Sequence, residues 1–335
     1  MIRGRLLWPL IALAGLLLLN VVFTHSFLAL RIQDGHLYGS LVDILRNGAP
    51  TMLIAVGMTL VIATRGIDLS VGAVAAIAGA IGCTWIADGG DVPTAILLAL
   101  AVCVLLGLWN GFLVSVLGIQ PIIATLVLMT AGRGGAMLLT EGQIVTVDSS
   151  AYRQIGAGFL VLPIAILISL AVLGGVALLT RRTALGMLIE AVGANPEASR
   201  LAGVRSRTIT WTVYVFAACC AGVAGLMISS NVSAADANNA GLWIEMDAIL
   251  AVVIGGTSLA GGRYSLGGTL IGALVIQTLT TTVYTIGVPT NVTLLFKAVV
   301  VITVCLLQSP RMARIIGGRR KTPVTAPRPR KVAAG

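Results

Sequence analysis

The chain has 335 residues, 57% of them hydrophobic and only 10% charged, with a mean hydropathy of +1.01. A soluble domain carries about 25% charged residues, so too few polar side chains remain to cover a water-facing globule; the composition excludes one and describes an integral membrane protein. The formal net charge of +10 reads as arginines that set topology plus a solvated basic tail. It does not read as a nucleic-acid surface, because no basic stretch is interleaved with aromatic residues.

In chain order, the first segment "RGRLLWPLIALAGLLLLNVVF" places Arg3 and Arg5 before an apolar run. That run exceeds the roughly 7–15 residues of a signal-peptide core and lacks a small-x-small cleavage site, so it is expected to stay as a span. A bilayer core of about 30 Å takes about 20 apolar residues per helix. Spans are expected near 6–28, 42–64, 67–87, 94–117, 121–140, 158–180, 208–230, 246–262, 266–287 and 291–308, about ten transmembrane helices in an all-α fold. Residues 1–310 form the membrane domain, with a basic, Pro-containing tail at 311–335 expected to be disordered and to touch lipid headgroups. With the N-terminus in the cytoplasm, Arg65, Arg181, Arg182, Arg200, Arg205, Arg207 and Arg263 all fall inside, as does the tail. Most acids, including Asp88, Asp91, Asp148 and Asp236, fall outside, as the positive-inside rule expects. The five cysteines lie within apolar segments without CxxC spacing and there are two histidines, so the cysteines read as packing residues and no metal site is expected.

Four stretches depart from plain lipid-facing helix. In "ATRGIDLSVGAVAAIAGAIG", Asp68 and Ser70 are expected to cap the following helix. Gly72, Ala76 and Ala80 then form a small-residue face on which another helix can pack closely. In "WNGFLVSVLGIQPIIATLVLMTAGRGGAML", Asn110 is a further polar candidate, and Arg133 sits within a span. An intramembrane charge marks a functional site by default; the alternatives are that Arg133 caps a broken helix or snorkels outward. Lys297 is expected to snorkel to the outer surface.

The third stretch is "NVSAADANNAGLWIEMDAILAVVIGGTSLAGGR". Asn238, Asn239, Trp243, Glu245 and Asp247 cluster on its outer side and suit either a polyol or a docked soluble partner. Gly255, Gly256, Thr257 and Ser258 are expected to loosen the span at mid-depth. With Gln277 in the next span, they are candidates for a translocation path. None of these residues has the context of a hydrolase, so no catalytic residue is assigned.

The fourth stretch is "ALGMLIEAVGANPEASRLAGV", residues 184–204. Thr183 can cap a helix that ends at a left-handed Gly193, and Asn195 caps a second one with Pro196 first and Glu197 in its opening turn. Gly203 closes it, and Ala198 and Ala202 share a face. The result is a rigid cytoplasmic helical hairpin, over-specified for a connector and suited to docking in another protein's cleft.

"GMLIEAVGANPEASRLAGV" resembles the coupling loop of importer ABC permeases. "GIDLSVGA" and "DAILAVVIGGTSLAGGR" are similar to two signatures of the ribose, xylose and galactoside permease group. Within that group the motifs most resemble the galactofuranose permease subunits, over roughly residues 40–310. The resemblance implies a type II-like ABC importer permease in a bacterial inner membrane, with Glu190, Gly193, Asn195, Ala198, Ala202 and Gly203 as coupling-loop positions. It implies three partners: an ABC ATPase that uses ATP and magnesium, a periplasmic sugar-binding protein, and a second permease chain, identical or paralogous. The chain carries no GxxxxGK[ST], so no cofactor is expected on it. Arg65 departs from the expected glycine before "GIDLSVG", with no role evident in the sequence. The rival readings are import of nucleosides or branched-chain amino acids by the same architecture, and an ion-coupled secondary carrier.

Overall fold

A computed structural model describes residues 2–24, 27–33, 35–287, 292, 295, 297–299 and 302. They form α1 (Ile2–Phe23), a hairpin of β1 (Arg31–Gln33) and β2 (His36–Tyr38), α2 (Ser40–Ala63), α3 (Val71–Ala87), α4 (Val92–Ser115) and α5 (Pro121–Leu139). Next come β3 (Val145–Thr146), α6 (Ser150–Ala157), α7 (Ile164–Arg182), α8 (Leu185–Ala194), α9 (Pro196–Leu201) and α10 (Ser206–Val232). β4 (Ala234–Ala235), α11 (Ile244–Ile254) and α12 (Leu266–Thr285) complete the order, and β3 pairs antiparallel with β4.

Among the described residues, seven helices are long and apolar enough to cross a membrane: α1, α2, α4, α5, α7, α10 and α12. They fall where spans were expected. Two expected spans are shorter than anticipated: α3 starts at Val71 rather than near 67, and α11 has only 11 residues. The last, 291–308, lies largely outside the described residues, as does the 311–335 tail.

The bundle is organised around α10, which packs against α2, α3 and α4. Lipid tails are as apolar as leucine, so helices associate by close packing and interhelical hydrogen bonds rather than by the hydrophobic effect. Each neighbour of α10 meets it through a glycine. A Cβ on Gly57 of α2 would lie 2.9 Å from the Ala217 Cα, and one on Gly107 of α4 would lie 2.7 Å from the Val215 Cα. Gly225 of α10 itself faces α3, where a Cβ would lie 2.0 Å from the Ala75 carbonyl oxygen.

Hydroxyls and amides lock the remaining pairs. Thr59 of α2 and Thr269 of α12 lie 2.7 Å apart, and Ser169 of α7 donates to the Ala49 carbonyl at 2.9 Å. α1 sits at the periphery on α12, where Asn20 Nδ2 donates to Thr282 Oγ1 at 2.6 Å. On the side where α10 ends, Tyr152 of α6 lies 2.7 Å from Ser229 Oγ. The sequence reading did not anticipate α6, although Ser149 caps it by accepting from the Tyr152 N–H.

These contacts predict that Gly225→Val is destabilising by about 1–3 kcal/mol, the usual cost of overpacking, because the α3 backbone cannot recede. Gly174→Ala in α7, where a Cβ meets nothing within 4 Å, should be neutral or stabilising. Thermal unfolding of the detergent-solubilised protein, followed by circular dichroism, compares the two.

Candidate functional site

Two arrangements concentrate the sequence-nominated residues. The first lies where α2, α8 and the 255–265 loop meet, at the end of the bundle that carries Arg65, Arg181, Arg182 and Arg200. α8 and α9 form a helical hairpin there. Thr183 Oγ1 accepts from the Leu185 N–H at 3.2 Å. Asn195 Oδ1 accepts from the Glu197 and Ala198 N–H groups at 3.1 and 3.0 Å, with Pro196 opening α9 as expected. Gly203 closes the hairpin with φ +86°.

Gly193 corrects its expectation. It is an interior residue of α8, not a left-handed terminus, and it is buried. A Cβ there would fall 1.7 Å from the Ala63 carbonyl oxygen and 2.6 Å from the Gly262 nitrogen. The glycine is required by proximity rather than by backbone twist. The Gly262 N–H in turn donates to the Ala63 carbonyl at 2.9 Å. Arg65, left without a role by the sequence, donates from Nη2 to the Ala194 carbonyl. That carbonyl closes α8, where the helix dipole favours a cation. Gly261, at φ +83°, packs against Arg65 and the Gly193 carbonyl. The end of α2, the hairpin and the loop before α12 therefore meet in one junction. Its outward side presents Ala198, Ala202 and Gly203 exposed and Glu190 half-buried.

The residues expected to loosen a span at mid-depth belong to this junction's loop, which corrects their placement. α11 ends at Ile254, and Gly255, Gly256, Thr257 and Ser258 lie in the turn beyond it. Thr257 Oγ1 accepts from the Ser265 N–H at 3.3 Å and Ser258 Oγ from the Ala260 N–H at 3.2 Å, so both hydroxyls order the turn. Gly255 abuts Gly268 of α12 backbone to backbone. Gln277 of α12 packs its side-chain carbons on Gly48 of α2.

The second arrangement is a segment that descends into the bundle. After β4, the chain runs down the small-residue stripe of α3: Ala237 clusters with Ala76 and Ala80, and Gly241 and Glu245 reach Gly72. The eight positions from Ala80 to Gly72 correspond to roughly 12 Å of descent. The stripe thus receives the turns of residues 237–243 together with Glu245 at the start of α11 and Ala136 of α5. A Cβ on Gly72 would lie 2.3 Å from Glu245 Oε2 and 2.7 Å from the Gly241 carbonyl oxygen. Helix α11 starts inside the bundle as a result, with Glu245 and Asp247 in its first turn, where a helix N-terminus favours carboxylates.

Arg133 explains how this descent is tolerated. α5 is unbroken, so Arg133 neither caps a broken helix nor snorkels: Nη1 donates to the Ala237 and Ala240 carbonyls at 3.0 and 2.6 Å. The segment is also tied internally. Asp236 accepts from the Asn238 and Asn239 N–H groups at 3.0 and 3.2 Å and from Asn239 Nδ2 at 2.8 Å. The Asn239 side chain, with these N–H groups, holds the Asp236 carboxyl below its usual range. Lys297 does not snorkel either; its Nζ lies 2.8 Å from Asp247 Oδ2. Asn238, Asn239 and Trp243 are exposed, whereas Glu245 is 4% exposed.

Asp68 and Ser70 do not cap α3 with their side chains. Residues 64–70 turn back into the bundle, and three buried polar side chains bond to one another there. Asp68 Oδ1 accepts from the Ser70 N–H and hydroxyl at 2.9 and 2.6 Å, and Asn110 Nδ2 donates to Ser70 Oγ at 2.9 Å. All three are about 1% exposed.

Comparison with known sequences fits these arrangements. The profile of the family described as "Branched-chain amino acid transport system / permease component" matches residues 40–305. The chain belongs to this permease family. Among relatives of the permease, the galactofuranose transporter permease protein YtfT of Escherichia coli K12 is 49% identical over 95% of both chains. The fructose import permease protein FruF of Bifidobacterium longum is 41% identical, covering 100% of this chain and 96% of its own. The ribose import permease protein RbsC of Haemophilus influenzae is 36% identical over 80% and 84%. No solved structure matches the permease.

Two outcomes follow from this geometry. Gly193→Ala must push α8 off the Ala63 carbonyl. If the displacement costs about 1.4 kcal/mol, trypsin cleavage at Arg200 should accelerate about tenfold, since cleavage tracks the open population. For Asp236 the folded pKa lies below the unfolded one, so its stabilising effect is full above the unfolded value and is lost as pH falls through the folded value. In a variant retaining only Trp243, emission should stay constant from pH 7 down to about 4 and shift only at lower pH.

Proposed function

We propose that the permease is the translocation subunit of a binding-protein-dependent ABC importer for a monosaccharide, with galactofuranose the first sugar to test. The observation that carries the transport mechanism is the junction of Gly193, Ala63 and Gly262. It ties an exposed, doubly capped hairpin directly to the spanning helix α2 and to the loop between α11 and α12. A partner that grips the hairpin thereby moves helices rather than a slack connector. The sugar reading draws its support from the relatives, whose names cover galactofuranose, fructose and ribose.

In this reading an ABC ATPase, which supplies ATP and magnesium chemistry from its own residues, docks on Ala194 to Gly203. Two permease chains face each other across the path in a bacterial inner membrane. The arginine-rich end and both termini face the cytoplasm, consistent with the charge asymmetry along the loops. A sugar-binding protein delivers substrate at the opposite end, and Asn238, Asn239 and Trp243 on the descending segment offer amides and an aromatic face to sugar hydroxyls and C–H groups. Transport needs differential contacts in two states rather than tight binding, which fits a sparse polar surface.

Ala198→Trp on the exposed hairpin tests the docking: the ATPase should no longer co-purify while the permease stays folded and membrane-inserted, and normal co-purification would sink the role. Proteoliposomes of the full complex should hydrolyse ATP faster with sugar-loaded binding protein. Uptake of a branched-chain amino acid in place of sugar would move the assignment within the family. Uptake that ignores ATP and collapses with the proton gradient would make the protein an ion-coupled carrier.

A further inference from the structure

Where α7, α8 and α10 converge against α2, their side chains leave a half-enclosed cleft of about 100 Å³. Leu179 of α7, Leu185 and Ile189 of α8, and Ile209, Val213 and Phe216 of α10 form most of its wall. Its two hydroxyls are turned onto their own helices: Thr180 donates to the Val176 carbonyl and Thr212 to the Thr208 carbonyl, both at 2.8 Å. The wall therefore offers nothing to a sugar, and a resident water would need two to four polar partners. Hydrocarbon suits it, since an empty apolar cleft forfeits dispersion contacts along its whole lining.

The mouth of the cleft has a charge that says which hydrocarbon. Arg181 and Arg182 follow Leu179 and Thr180 at the end of α7, and Arg205 and Arg207 lie just before Ile209 at the start of α10. All four are exposed, and among the described residues none is in an ion pair. Beside the cleft the surface is apolar: Leu178 and Leu179 are exposed on α7, and Leu108 and Trp109 on α4, which Trp211 Nε1 joins to α10 by donating to the Leu108 carbonyl at 2.8 Å. An acyl chain can reach the cleft along that surface while a phosphate stays among the guanidinium groups.

We propose that this cleft seats a short stretch of one acyl chain of an anionic phospholipid whose phosphate is held by the arginines at the ends of α7 and α10. Part of the wall is α8, whose Gly193 joins the hairpin to α2 and the 255–265 loop. Occupancy therefore braces the hairpin from the bundle side, leaving Ala198 and Ala202 free on the outer side. The inference does not depend on which solute is transported.

The test is native mass spectrometry of the full-length permease in mild detergent, with phosphatidylglycerol or phosphatidylcholine of identical chains. Phosphatidylglycerol should be retained about tenfold better, the preference expected from one or two arginines near the phosphate. Arg181→Gln with Arg205→Gln should abolish that preference. Thr212→Trp, which fills the mouth, should lower retention of both lipids, and melting curves confirm that each variant is folded. Millimolar glycerol phosphate should not compete, because the chain provides the seat. Equal retention of the two lipids, unchanged retention in both variants, displacement by glycerol phosphate, or a lipid-free dimer with the cleft covered by a second copy would each overturn the proposal.

Discussion

Backbone amides have no water to bind inside a bilayer, and each unsatisfied one costs several kcal/mol. This permease nevertheless sends two non-helical segments into its bundle, residues 64–70 and the descent from Ala237 to Trp243. Buried side chains supply hydrogen bonds to both. Asp68, Ser70 and Asn110 bond to one another, and Thr125 donates to the Ile67 carbonyl at 3.2 Å. Arg133 serves two carbonyls of the descent, and Asp236 ties the turn above it. The charged and amide residues that stand out in an apolar sequence are thus largely the partners of irregular backbone. On the descending segment Asn238, Asn239 and Trp243 are exposed.

Glycines make the second half of the construction. α10 is reached at Gly57, Gly107 and Gly225 at distances that leave no room for a Cβ, so the centre is stiff. Gly72 admits Glu245 beside the start of α3, and Gly193 admits the end of α2 beside α8. These close contacts join a helical hairpin at one end, through α2 and the 255–265 loop, to a half-length helix that begins inside the bundle. A push on the hairpin is consequently felt by α11 and α12, which is the mechanical requirement the proposed importer places on this subunit.

Much of this was legible beforehand. The seven long helices lie where apolar runs of about 20 residues demand them. The hairpin at 184–204 was readable from Thr183, Asn195, Pro196 and Gly203, because capping is local chemistry between residues two or three apart. The permease family was legible in three motifs. The roles of Arg65, Arg133 and Gly193 were not. Arg65 meets Ala194, Arg133 meets Ala237 and Ala240, and Gly193 meets Ala63 and Gly262, all partners distant in sequence. Hydropathy also merged α11 with its turn into one span, since a half-length helix followed by small residues has the same composition as a full one.

The sequence by itself determined the solvent this protein lives in, the places of the seven long helices among the described residues and the capped start of α9, because hydrophobicity and capping act within a few residues. Tertiary structure alone decided which polar residues are used up in satisfying buried backbone and which remain exposed. It also decided that Gly72, Ala76 and Ala80 receive the turns before α11 along with the start of α11 and Ala136 of α5. The physical reason is that a donor in hydrocarbon must find whatever acceptor the fold brings to it, and for Arg133 those acceptors lie 104 and 107 residues away.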